Sequence, residues 1–146
     1  MVGQSVPNFT LLDQNGNDFE LYKNLDKNIL LVFYPKDNSP VCSRQLAEYN
    51  LNSNKFLDKN IKLVGVNVDT QELHQSFCGS LNISFPVLSD KTKEISKRFN
   101  ALNLLGINKR KVVLIGMNKS ILFEKSTLPI IYDNSENLLE LLSKVL

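Results

Sequence analysis

Three segments of the chain are apolar with little alternation: Ile29-Leu30-Leu31-Val32-Phe33-Tyr34, Ile61 to Val68, and Val112-Val113-Leu114-Ile115. They are short and rich in β-branched residues. A strand with one wet face would alternate, so these runs predict strands of a sheet covered on both faces. Ile121-Leu122-Phe123-Glu124 follows the third run after the turn Met117-Asn118-Lys119-Ser120, which predicts an antiparallel pair. Near the N-terminus, Phe9 to Leu12 and Phe19-Glu20-Leu21 flank the polar stretch Asn15-Gly16-Asn17-Asp18, which reads as a hairpin turn. Between the strands the spacing turns helical. After Cys42, the residues Leu46, Tyr49, Phe56 and Leu57 follow a helical period, with a gap across Asn50 to Asn54 that predicts a kink. Leu73, Phe77 and Leu81 predict the core stripe of a second helix, N-capped by Asp69 or Thr70. Asp90 to Glu94 opens a third helix, with Ile95 and Phe99 as its apolar positions. Leu138, Leu139, Leu141, Leu142 and Val145 predict a closing helix entered through Asp133 to Ser135.

The order is hairpin, βαβα, a further helix, ββ, α. That is an α/β chain in a thioredoxin-like arrangement with an added N-terminal β-hairpin. The antiparallel pair across residues 112–124 argues against an ordinary flavodoxin-like sheet. At 146 residues, with no linker, repeat or low-complexity segment, the expectation is a single domain over 1–146. Hydrophobic residues make up 42% and charged residues 22%, an ordinary globular balance. Seventeen basic against 15 acidic residues give a net charge of +2, too even to imply nucleic acid or an anionic membrane as partner. No apolar run approaches the ~20 residues of a membrane span, and the N-terminus shows no secretory leader, so a cytoplasmic setting is expected.

Charge and composition leave two thiols to explain. Cys42 and Cys78 are too few for a disulfide scaffold, and one histidine, His74, does not complete a zinc site. Cys42 falls where Pro35 ends a buried strand and Pro40 opens a helix. Unpaired N–H groups and the positive end of the helix dipole point at such a position and favour a thiolate over a thiol. A small core residue at a helix start is the alternative reading of that position alone.

Pro35-xxx-Ser39-xx-Cys42 resembles the active-site signature of the peroxiredoxins, Pro-xxx-Thr/Ser-xx-Cys. The longer string Tyr34-Pro35-Lys36-Asp37-x-Ser39-Pro40-x-Cys42 is similar to the Q-type branch, also called bacterioferritin comigratory protein. Three further stretches carry the likeness along the chain: Pro7 to Gly16 resembles the opening hairpin, Val64 to Asp69 the second buried strand, and Phe85 to Asp90 the loop into the third helix. Arg110, leading Val112 to Ile115, resembles the Arg-led strand before the last hairpin. Val41 stands where the Q-type motif usually has glycine, and Gly116 where an acidic residue is common.

The resemblance implies a thiol peroxidase acting on hydrogen peroxide and organic hydroperoxides, with no metal, flavin or nucleotide. It implies that Cys42 attacks the peroxide, that Ser39 and the N–H groups of Cys42 and Val41 place it, that Arg110 stabilises the charge, and that Pro35 covers the sulfur. Many Q-type members carry a resolving cysteine five residues after the attacking one; here that position is Ala47. Other members place it on the next helix, which points to Cys78, with thioredoxin or a similar dithiol as reductant. Helical spacing puts Cys78 on the flank of the core stripe, shared with His74, where a thiol is more accessible than in the core. A one-cysteine peroxidase reduced by an external thiol, and a peroxide sensor acting through mixed disulfides, are the alternatives. His74 is assigned to a surface or helix-packing role and Gly65 to strand packing. The absence of a C-terminal cysteine-bearing extension points to a monomer.

Overall fold

The structure, a computed structural model, describes residues 1–146. Seven strands form one sheet: β1 (Thr10–Leu12), β2 (Asp18–Glu20), β3 (Asn28–Phe33), β4 (Ile61–Asn67), β5 (Val87–Ser89), β6 (Arg110–Ile115) and β7 (Ile121–Thr127). Their spatial order is β2-β1-β5-β4-β3-β6-β7. The helices are α1 (Pro40–Leu51), α2 (Ser53–Leu57), α3 (Gln71–Leu81), α4 (Glu94–Arg98) and α5 (Ser135–Ser143). β3 runs parallel to β4, which runs parallel to β5, while β6 is antiparallel to β3 and to β7. This is the expected thioredoxin-like arrangement with its N-terminal hairpin.

The central strand explains why its sequence does not alternate. Leu30, Val32 and Tyr34 enter one core cluster with Leu46, Tyr49, Phe56, Phe77, Leu138 and Leu142 from the helices on that face. Ile29, Leu31 and Phe33 enter the other, with Phe9, Phe19, Ile95 and Phe99. Both sides of the pleat are therefore apolar. At the hairpin, the Asp13 carboxylate accepts from the N–H groups of Asn15 and Asn17, and Gly16 takes a φ of 79° that a side chain would resist. The gap after Tyr49 is a real break: Asn52 ends α1 and precedes α2, and its side chain donates to Glu48 O at 2.9 Å. Of the two cap candidates for α3, Thr70 is the one used, its hydroxyl accepting from Leu73 N.

Three expectations need correction. Val87 to Ser89 is not a loop but β5, a strand paired with β4, so the apolar Val87-Leu88 lies inside the sheet. Val145 falls beyond α5 and is exposed. The buried face of α3 is rotated from the predicted stripe: Leu73 is 46% exposed, while His74, Phe77 and Cys78 are buried and Leu81 packs against them. Positions 74, 77, 78 and 81 follow i, i+3, i+4, i+7, the fuller helical pattern. A histidine and a cysteine at two of the four disguised it. His74 thus has no surface role, and Cys78 is not the accessible flank residue expected but 3% exposed within the core. Phe77→Ala should lower stability by about 3–5 kcal/mol and Leu73→Ala by under about 1 kcal/mol in urea unfolding.

Candidate active site

β3 ends at Phe33, and the next eight residues carry the chain to Cys42. Pro35, half-buried, has no N–H to continue the ladder. Asn38 takes a φ of 62°, a left-handed turn that asparagine tolerates better than most residues. Ser39, extended at φ −77° and ψ 146°, caps α1, and Pro40 occupies a first-turn position where its missing N–H costs nothing. Cys42 is the third residue of the helix, and its N–H donates to Ser39 Oγ at 3.2 Å. That bond corrects one expectation: the Cys42 N–H is occupied by the cap. The Ser39 hydroxyl keeps its own proton free to donate.

Arg110 opens β6. The pleat settles which of Lys109, Arg110 and Lys111 faces the thiol. Arg110 has the same parity as Val112 and Leu114, which lie on the α1 face with Cys42. Lys111 points the other way, donating to Phe99 O at 2.7 Å and pairing with Glu124 at 2.9 Å. Arg110 Nη2 lies 3.3 Å from Cys42 Sγ and donates at 2.7 Å to Pro129 O. Nε donates to the same carbonyl at 2.9 Å, and Nη1 to Gln45 Oε1 at 2.5 Å. Gln45 Nε2 reaches Tyr49 Oη at 3.4 Å, and the Tyr49 hydroxyl donates to Asp133 O at 2.6 Å. Burial pushes the Tyr49 phenol upward, so the hydroxyl keeps its proton. The guanidinium is buried, yet every oxygen it binds is neutral. The remaining group at the guanidinium is the Cys42 sulfur.

A second buried network lies beside the first. Tyr34 Oη donates to Asp37 Oδ1 at 2.5 Å, and Asp37 Oδ2 lies 2.6 Å from His74 Nδ1. Asn67 Nδ2 reaches Asp37 Oδ1 at 3.3 Å and Asp69 Oδ2 at 3.2 Å. Burial first, then the Asp37 charge and its hydrogen bond, raise the Tyr34 phenol well above its ordinary range.

The structure therefore brings Ser39, Cys42 and Arg110 together and leaves Cys78 apart as a second free thiol in the same core cluster. Burial, then the Asp37 charge, push the Cys78 thiol up to about 12. Sequence reasoning missed Gln45, Tyr49 and Asp37. Gln45 had a signal, its position one turn after Cys42 on the same face of α1. The carbonyl of Pro129 had none, since any residue carries one. The side chains present can hold a reacting oxygen between a sulfur, a hydroxyl and a guanidinium. No group of three or more His, Cys, Asp or Glu side chains is arranged to bind a metal ion. No helix is long and apolar enough to cross a membrane.

The AhpC/TSA family matches residues 2–123. Chloroplastic peroxiredoxin Q of Populus jackii is 31% identical over 133 residues, which is 90% of this chain and 60% of that protein. A putative peroxiredoxin bcp of Helicobacter pylori strain J99 is 33% identical over 100 residues, 68% of this chain and 66% of the relative. The chain thus spans about two thirds or less of the length of these curated relatives. Among solved structures, a mutant of PrxQ from Xylella fastidiosa superposes with a TM-score of 0.86 at 25% identity, covering 99% of this chain and 94% of that one. Reduced 2-Cys peroxiredoxin from Plasmodium vivax gives 0.90 at 26% identity, covering 99% and 95%. With a family match over most of its length, and with relatives named peroxiredoxin Q and bcp, the chain belongs to the AhpC/TSA family.

Proposed function

We propose that the protein is a thiol-dependent peroxidase in which Cys42 is the attacking residue. The observation that carries the reading is the 3.3 Å contact from Arg110 Nη2 to Cys42 Sγ at the N-terminus of α1. The Cys42 thiolate attacks the terminal oxygen of a hydroperoxide, and the O–O bond breaks. The sulfur becomes a sulfenic acid, and the departing hydroxide or alkoxide takes a proton to leave as water or alcohol. Arg110 faces the developing negative charge from a site already dry, where a fixed cation acts strongly. Ser39 donates its free proton to the peroxide while its oxygen continues to accept from Cys42 N. Pro35 restricts water at the loop and has no chemical role. The chemistry needs only a thiol and a peroxide.

Cys78 is the resolving partner in this reading. Its thiol displaces the sulfenic hydroxyl as water, and thioredoxin or a similar dithiol reduces the disulfide. The protein works as a monomer in a reducing cytoplasm, without nucleic acid as a partner. The buried Cys78 supports a second reading, a one-cysteine enzyme reduced by an external thiol.

A coupled assay with thioredoxin and its reductase, using hydrogen peroxide and an organic hydroperoxide, tests the proposal. Cys42→Ser should abolish turnover. Cys78→Ser should abolish turnover with thioredoxin while leaving one-turnover oxidation of Cys42 intact. Retention of full thioredoxin-linked turnover by Cys78→Ser establishes the one-cysteine reading instead. Arg110→Lys should lower kcat/KM for peroxide about 100-fold or more, since the fork cannot be shared among Sγ, Gln45 and Pro129. Full activity in that variant removes Arg110 from the mechanism.

A second expectation follows from the raised Cys78 thiol. The folded state favours the protonated form, so its contribution to stability is complete below the ordinary thiol value of 9 and is lost as pH rises toward about 12. Cys78→Ala should therefore show a shallower alkaline decline in stability than the wild type, read by urea unfolding across that window.

A further inference from the structure

Asp37 stands in the loop between β3 and α1, and His74 stands on α3, one turn before Cys78. Their side chains, 2% and 0% exposed, meet at 2.6 Å. The second ring nitrogen, Nε2, faces Leu88 O at 3.1 Å. Both neighbours of the ring are oxygens, so one proton lies between Nδ1 and the Asp37 carboxyl and the other ring nitrogen donates to Leu88 O. Tyr34 and Asn67 complete the carboxylate, and the Asp37 N–H donates to Asp69 Oδ2 at 2.8 Å. The loop that leads to Cys42 is thus fastened to the helix that carries Cys78. None of these hydrogen bonds reaches the Cys42 sulfur, whose partner is Arg110.

We propose that the Asp37–His74 pair is a latch that sets how fast oxidised Cys42 is resolved, positioning the loop without taking part in the peroxide step. The inference rests on Cys78 as resolving cysteine. Cys42 and Cys78 are both buried and unbonded, and a disulfide needs sulfurs about 2 Å apart, so in this proposal one helix end loosens for the bond to form. Gly79, next to Cys78, has open space around it and eases that loosening. While the latch is closed, Cys78 is kept from water and kept protonated by burial and the neighbouring carboxylate. Opening hydrates Asp37 and frees Cys78. The Cys78 sulfur then bonds to the Cys42 sulfur, the S–O bond of the sulfenic acid breaks, and the hydroxyl leaves as water with the Cys78 proton. Cys78 is oxidised by the sulfenic acid, so no further oxidant enters.

Removing one partner of this buried pair leaves the other without its hydrogen bond and destabilises the closed state. If the open state is about 1% populated, a tenfold rise leaves roughly 90% closed, so the peroxide step slows little while resolution accelerates about tenfold.

The test follows reduced thiol, sulfenic acid and disulfide by quenched flow and mass spectrometry in the wild type, His74→Gln, Asp37→Asn and the double variant. His74→Gln should change the rate of Cys42 oxidation less than about threefold, speed disulfide formation about tenfold, and lower over-oxidation to sulfinic acid in excess peroxide. The double variant should be no faster than either single one, because one contact is lost in each case. Tyr34→Phe, which removes only one bond to Asp37, should give a smaller acceleration in the same direction and serves if the charge variants do not fold. An unchanged disulfide rate, or effects that multiply in the double variant, overturns the latch while leaving Cys78 as resolving cysteine. A wild type that forms no disulfide overturns both.

Discussion

In the pairing of β3 with β6, Phe33 lies opposite Lys111, so the strand that leads into the Cys42 loop ends beside the strand that begins with Arg110. The register places residues 68 apart in sequence within hydrogen-bond reach of one another. A slip of one residue would turn Arg110 to the opposite face and leave Lys109 or Lys111 toward the thiol. The register is fixed by burial on both sides of the sheet. Val112 and Leu114 are needed in one core cluster and Val113 and Ile115 in the other, and a slip would misplace all four. The position of the cation is therefore set by the packing of neutral side chains.

Around that cation the polar groups form connected sets. The guanidinium binds Gln45, Gln45 reaches Tyr49, and Tyr49 reaches the backbone ahead of α5 at Asp133. Glu48, also on α1, accepts from the N–H and hydroxyl of Ser135 at the start of α5. One helix thus carries both the thiol and the struts that brace the arginine. A buried polar group without a partner costs on the order of 1–3 kcal/mol, so each bond in these sets constrains the next. The Asp37 network does the same for the loop before Cys42, tying it to β4 and α3 and not to α5.

The strongly patterned elements were legible from residues alone. The doubly apolar β3, β4 and β6, the hairpin around Gly16, the break near Asn52 and a cap for α3 at Asp69 or Thr70 all report local physics. β5 was not legible, because three residues after Pro86 are too few to show a period and only pairing with β4 makes them a strand. The face of α3 was misread because its buried positions include His74 and Cys78. A histidine reads as polar until a carboxylate and a carbonyl are found to satisfy it. Parity with Val112 and Leu114 was a usable signal for Arg110 over its lysine neighbours.

The sequence by itself determined the strands, the helix that begins at Pro40 and the placement of Cys42 in its first turn, because propensity, capping and period act over a few residues. Tertiary structure alone decided that Arg110 meets that sulfur, that Gln45 and Pro129 hold the guanidinium, and that Asp37 pairs with His74. Those contacts join positions 19 to 68 residues apart. Burial gives them their strength, and burial exists only once both faces of the sheet are covered.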